Sequence, residues 1–270
     1  DLRLFANRGF SIGTATIALT FFAMFGMFFL LTQYLQAVRG YSPLEAGVRT
    51  LPMMLTMVPA ASLSARWAER FGSRAVLSTG LALVATGLLV LASLGTDTSY
   101  WVLAAGLVVL GIGMGNVAAP ATGAVMTSLP VAKAGVGSAV NDAAREVGGA
   151  LGIAVLGSIV ASRFASGLDG AVAGLPAENA DLARGSVGAA LQVAAGLGGD
   201  AGAALADAAR AAYTDAMSAA LLVAALVALL TVGVVQRYLP RHGTEPPDTD
   251  RPPAPVEREP VAQGAGPREG

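Results

Sequence analysis

The chain has 270 residues, of which 54% are hydrophobic and only 13% charged, against about 25% charged in an ordinary soluble domain. Its formal net charge is −1 and its mean hydropathy +0.62, so no basic surface exists to neutralise phosphates and nucleic acid is excluded as a partner. The absence of cysteine removes disulfides and thiolate chemistry, and a single histidine, His242, leaves no histidine metal site. No cofactor or metal is expected, and the class that remains is an all-α membrane protein.

The first nine residues, DLRLFANRG, read as a cytoplasmic linker, and the chain as a portion of a longer protein. Six apolar stretches then reach the length of about 20 residues that a membrane helix needs: 10–35, 43–66, 74–94, 100–128, 134–162 and 214–236. Their continuous apolar character argues for helices over a barrel, whose strands would alternate. The first span carries a stripe of Phe21, Phe25 and Phe28, continued by Thr32 and Gln33. Such a stripe either packs and faces lipid or lines a cavity; as a cavity wall it suits lipophilic or aromatic cations.

The second span opens with Glu45 and Arg49, one helical turn apart. They form either a self-neutralised pair at the outer membrane edge or a gate contact to another helix. In the fourth span, Gly111 and Gly115 make a close-packing GxxxG, Asn116 is a polar cavity candidate, and Pro120 is a static kink or a hinge. The run GIGMG follows no strand, so it is not a dinucleotide loop. The fifth span begins with Asn141, Asp142, Arg145 and Glu146, followed by a second GxxxG at Gly148 and Gly152. Asn141 shares a helix face with Arg145, and Asp142 with Glu146. At 1.5 Å per residue Arg145 lies roughly 16 Å inside its helix. It should therefore face protein or water, as part of an ion pair closing the cytoplasmic end or as a gating, substrate-contacting arginine.

Residues 163–213 read as an external loop with a candidate amphipathic helix near 200–212, and 237–270 as a disordered, proline-rich cytoplasmic tail. Six spans put both ends on one side. That side holds Arg3, Arg8, Arg66, Arg70, Arg74, Lys133, Arg237 and Arg241, against Arg39, Arg163 and Arg210 on the other. The imbalance predicts cytoplasmic termini. Tyr34, Tyr41, Trp67, Tyr100, Trp101, Tyr213 and Tyr238 are expected at helix ends, as an interfacial aromatic belt.

The stretch QYLQAVRGYSPLEAGVRTLP, with Gln33, Tyr34, Gln36, Gly40, Ser42, Pro43, Ala46, Gly47, Leu51 and Pro52, resembles the fourteen-span drug:proton antiporters of the major facilitator superfamily, the EmrB/QacA type. The turn ARWAERFGSR resembles that superfamily's cytoplasmic G-x-x-x-D-R-x-G-R-R motif: Arg70, Gly72 and Arg74 match, Glu69 stands for the Asp, and Ala65 and Ser73 depart. NDAAREVGGALGIAVLGS resembles a further family stretch through Asn141, Arg145, Gly148, Gly149, Gly152 and Ala154. The resemblance covers residues 1 to about 236 and implies the C-terminal six-helix bundle, spans nine to fourteen. It implies export of small lipophilic or cationic compounds from the bacterial plasma membrane by alternating access, driven by a proton gradient.

No middle of a span carries an acid, so the coupling carboxylate is expected in an N-terminal half, which with membrane lipid would be the partner. Glu69, Arg70, Gly72 and Arg74 would form a conformational latch, or Arg66, Arg70 and Arg74 would simply anchor the cytoplasmic edge. Two rival functions remain: uptake of a polar solute, and a non-transport sensor or scaffold. An enzyme is disfavoured, since no catalytic constellation appears.

Overall fold

A computed structural model describes residues 2–130 and 133–238. The expected tail therefore falls almost wholly on 239–270, outside the described residues, as do Arg241 and His242. A short 3-10 turn at Leu2–Ala6 leads into eight α-helices: α1 (Arg8–Gln33), α2 (Pro43–Phe71), α3 (Ser73–Ala92), α4 (Tyr100–Thr127), α5 (Ala134–Val172), α6 (Ala177–Gly185), α7 (Val187–Leu197) and α8 (Gly199–Tyr238). Among the described residues five helical stretches are long and apolar enough to cross a membrane: Arg8–Val38, Ser73–Ala92, Tyr100–Thr127, Ala134–Val172 and Gly199–Tyr238. Helix α2 has the length, at 29 residues, but Pro52, Pro59 and its threonines and serines dilute its apolar middle.

Local chemistry sets the helix boundaries. Asn7 caps α1 by accepting from the amides of Gly9 and Phe10, and Ser42 and Glu45 form a reciprocal capping box at α2. Gly72 has φ +85° and ends α2 while starting α3; an L side chain is strained in that region. Inside the helices, hydroxyls such as Thr20 and Thr231 donate to the carbonyl four residues back, which satisfies them in apolar surroundings.

The long helices run alternately up and down. At one end Phe10, Leu77, Val125 and Val235 share a small core, and the Asn7 amide donates to the Ser128 carbonyl at 3.2 Å. At the other end the Tyr34 hydroxyl donates to the Gly95 carbonyl (2.8 Å), Arg39 to the Thr96 carbonyl (2.6 Å) and Ser218 to the Ala92 carbonyl (2.6 Å). The start of α1 and the end of α8 therefore meet at the same end of the bundle.

The segment read as a loop, 163–213, is mostly helical. Helix α5 continues to Val172, α6 and α7 follow, and α8 already starts at Gly199. Alanine-rich sequence favours helix wherever a neighbour covers it, and Ala183, Ala190, Ala194 and Ala209 are all buried in the larger core. This also relocates Tyr213, expected at a helix end. It lies inside α8, fully buried, with its hydroxyl donating to the Leu30 carbonyl at 2.8 Å. Tyr100 and Tyr238 do sit at helix termini and Trp101 is 77% exposed, whereas Tyr34 is buried where α1 passes into a π-helical turn that runs on to Val38.

Candidate functional site

Both GxxxG motifs form helix seams. A side chain at Gly111 would collide with the Met53 carbonyl, and at Gly115 with the Met57 carbonyl, so α4 lies directly on α2. Gly148 and Gly152 likewise meet the backbones of Ala18 and Phe22, pressing α5 onto α1. The second seam positions a cavity between the two helices.

That cavity, about 610 Å3, is lined by Phe21 and Phe25 of α1 and by Asp142, Arg145, Glu146 and Gly149 of α5. The two phenyl rings stack with centroids 5.9 Å apart, and the Phe25 ring rests against Gly149, where a methyl group would touch it. The Arg145 guanidinium lies 5.2 Å from the Phe21 ring centre and donates to the Thr122 hydroxyl on α4 at 3.4 Å. The same hydroxyl donates to Asn141 Oδ1 at 3.5 Å. Asn141 and Arg145 thus use their shared face to reach α4. Thr122 was not singled out in the sequence; its signal was a lone hydroxyl in an Ala/Gly run two residues after Pro120.

Arg145 makes no ion pair with Asp142 or Glu146 among the described residues. The expected closing ion pair is therefore replaced by a hydroxyl link and a ring contact, because the two carboxylates point to the exposed face while Arg145 turns inward. Its Nε is buried without a partner. Pro120 is buried within α4, close in sequence to this link.

The remaining predicted cavity residues scatter. Phe28 packs on the edge of the larger core. Thr32 is exposed and donates to the Phe28 carbonyl (2.8 Å), and Gln33 is half-buried at the end of α1. Asn116 is buried on α4 and lines a different cavity, of about 410 Å3, together with Trp67, Phe71 and Thr79. Helical phase separates it from Phe21: the α4 face bearing Asn116 looks at Gly80 of α3, not at α1.

At the α2–α3 turn, Glu69 and Arg70 are exposed, and Glu69 forms no ion pair among the described residues. Arg70 lies 5.4 Å over the Phe71 ring, and Arg74 is half-buried with its Nε lacking a partner. Of the contacts that a latch through Glu69 could use, ion pairs with Arg70 and Arg74 are not formed among the described residues; Glu69 stays exposed on the last turn of α2, just before the reversal at Gly72.

The outer pair is also rearranged. Glu45 accepts from the Ser42 amide (2.9 Å) and hydroxyl (3.0 Å). Arg49 instead lies 3.9 Å over the Tyr41 ring and 5.1 Å from that of Tyr100. Capping an orphaned helix N-terminus and stacking on two rings outcompete a solvent-exposed ion pair. Nearby, the hydrogen bond to the Tyr41 hydroxyl holds the Arg39 guanidinium above the usual arginine range.

Residues 2–153 match the sequence family described as the Major Facilitator Superfamily. The chain is 36% identical over 169 residues to "Multidrug resistance protein Stp" of Mycobacterium tuberculosis, covering 63% of this chain and 31% of that protein. It is 34% identical over 197 residues to "Multidrug efflux pump LfrA" of Mycolicibacterium smegmatis, covering 73% and 39%. It is 33% identical over 207 residues to "Methyl viologen resistance protein SmvA" of Salmonella typhimurium, covering 77% and 42%. The chain thus spans less than half the length of each of these relatives.

Proposed function

Because this chain belongs to the Major Facilitator Superfamily, whose members are multi-pass membrane transporters and not enzymes, we propose that it forms the C-terminal half of a proton-coupled efflux transporter. The whole protein exports lipophilic or cationic compounds by alternating access across the bacterial plasma membrane. The start of α1 and the end of α8 lie on the cytoplasmic side, where Arg8, Arg66, Arg70, Arg74 and Arg237 concentrate. The N-terminal half carries the proton-coupling carboxylate, and the proton gradient is the energy source.

The α1–α5 cavity carries this reading. Two stacked rings offer polarisable faces to a cation, two exposed carboxylates add favourable charge, and the one arginine is already engaged by Phe21 and Thr122. Multidrug names among the relatives support the same substrate class. The Asn141–Thr122–Arg145 link joins α4 to α5 through Arg145 of the cavity wall and is the element that rocking would strain or release, with Pro120 two residues before Thr122 in α4.

The test is ethidium fluorescence on binding to the full chain in lipid nanodiscs. Asp142→Asn with Glu146→Gln should weaken binding about five- to tenfold, as expected from losing two partly screened charges beside aromatic faces. Unchanged affinity would remove the cavity from the mechanism.

A further inference from the structure

The cavity that holds Asn116 is chemically unlike the one between α1 and α5. Its walls are almost entirely apolar: Trp67 and Phe71 from α2, Thr79 and Leu83 from α3, and Ile112 from α4. Trp67 and Phe71 are 39% and 62% exposed, so the cavity opens beside two aromatic rings. One polar side chain lies deep in its lining. Asn116 is 3% exposed, and its Nδ2 donates to the Ile112 carbonyl at 2.8 Å. Its Oδ1 is buried and has no partner. The amide orientation is fixed, since the Ile112 carbonyl can only accept and would repel Oδ1. A buried acceptor left unpaired is costly and rare in folded proteins.

The charge at this cavity differs too. No carboxylate is among its lining residues, and the Arg70 guanidinium already lies 5.4 Å from the centre of the Phe71 ring. Cations are therefore disfavoured here, in contrast to the cavity bearing Asp142 and Glu146.

We propose that the Trp67–Phe71–Asn116 cavity is a second binding site, for neutral aromatic hydroxyl compounds, with the ligand ring packed against Trp67 and Phe71 and its hydroxyl donating to Asn116 Oδ1. A neutral donor relieves the orphaned acceptor without bringing charge into an apolar chamber. A chamber of about 410 Å3 has room for one substituted aromatic ring. This site stands apart from the cation site and does not depend on it.

Trp67 is one of two tryptophans, so Trp101→Phe leaves it as a reporter inside the cavity wall. The probes are 4-hexylphenol and 4-hexylanisole, which differ only in replacing the hydroxyl hydrogen by a methyl group, titrated into the full chain in nanodiscs with excitation at 295 nm. The phenol should bind about tenfold more tightly than the anisole, the ratio expected for satisfying one buried acceptor. Asn116→Leu should bring the ratio within about twofold while retaining anisole binding, because the apolar walls stay in place; each probe partitions into lipid equally for both proteins, so the two ratios compare directly. Ala75→Leu, at an exposed wall position, should abolish the response to both probes and leave ethidium binding intact; it serves also if Asn116→Leu does not fold. An equal phenol preference in wild type and Asn116→Leu would overturn the assignment. So would probe binding indifferent to Ala75→Leu, or no response of Trp67 at all.

Discussion

The seam between α1 and α5 makes a quantitative prediction through Gly148 and Gly152. A methyl group at Gly148 overlaps the backbone of Ala18, and one at Gly152 that of Phe22. Backbone cannot rotate out of the way as a side chain can, so the helices must separate by on the order of 1 Å at each site. Overpacking of this kind costs about 1–3 kcal/mol, and the steepness of a backbone overlap puts each substitution at the upper end. Alanine regains about 1 kcal/mol of helix propensity over glycine, which leaves a net loss of about 2 kcal/mol for Gly148→Ala or Gly152→Ala. The two glycines face the same helix one turn apart. A single rigid shift of α5 away from α1 accommodates both methyls, so the overlap cost is met once while the propensity gain counts twice, and the double variant should lose only about 1 kcal/mol, less than either single variant and far from their sum.

Gly233→Ala is the control. Nothing lies within 4 Å of its added methyl, so only the propensity gain applies and stability should hold or rise. Unfolding free energies of the four variants and the wild type, measured in detergent by steric trapping or denaturant titration, decide the matter. Strict additivity of the two seam substitutions, or loss at Gly233 equal to that at Gly152, would refute the rigid-seam argument.

Other consequences can be measured on the same footing. Tyr213→Phe removes the hydroxyl that ties α8 to the Leu30 carbonyl and should cost about 1 kcal/mol in the same unfolding assay, since that carbonyl keeps its bond from the Tyr34 amide. Gly72→Ala forces an alanine into φ +85° and should destabilise by about 1–3 kcal/mol, with the earliest hydrogen exchange appearing at the α2–α3 turn. In a double-mutant cycle, Glu45→Gln and Arg49→Gln should show a coupling near zero, because Glu45 is spent on Ser42 and Arg49 on two aromatic rings; a clear coupling would restore the direct ion pair. Ser42→Ala should fray the first turn of α2, read as faster exchange there.

Much of the architecture is written into the chain itself. Continuous apolar runs of helical length, Ser42 three residues before Glu45, the turn glycine Gly72, and the glycines spaced by four at 111/115 and 148/152 all act locally, and each appears in the structure in the role its chemistry dictates. The Asn141–Arg145 face was legible for the same reason, since residues four apart on a helix must look the same way.

Which way each helix faces was decided only by the tertiary packing. In a soluble helix the contrast between apolar and polar residues marks the buried side. In these helices lipid is as apolar as the interior, so that contrast vanishes. Phe21 and Phe25 reach a cavity while Phe28, on the same stripe, packs into the core. Asn116 turns to Trp67 and Phe71, away from Phe21. Arg145 passes over two nearby carboxylates for a threonine on another helix, and an alanine-rich stretch that reads as a loop becomes helix because buried neighbours cover it. Composition could name the solvent and the secondary structure; only the docking of one apolar cylinder against another could select which polar groups meet.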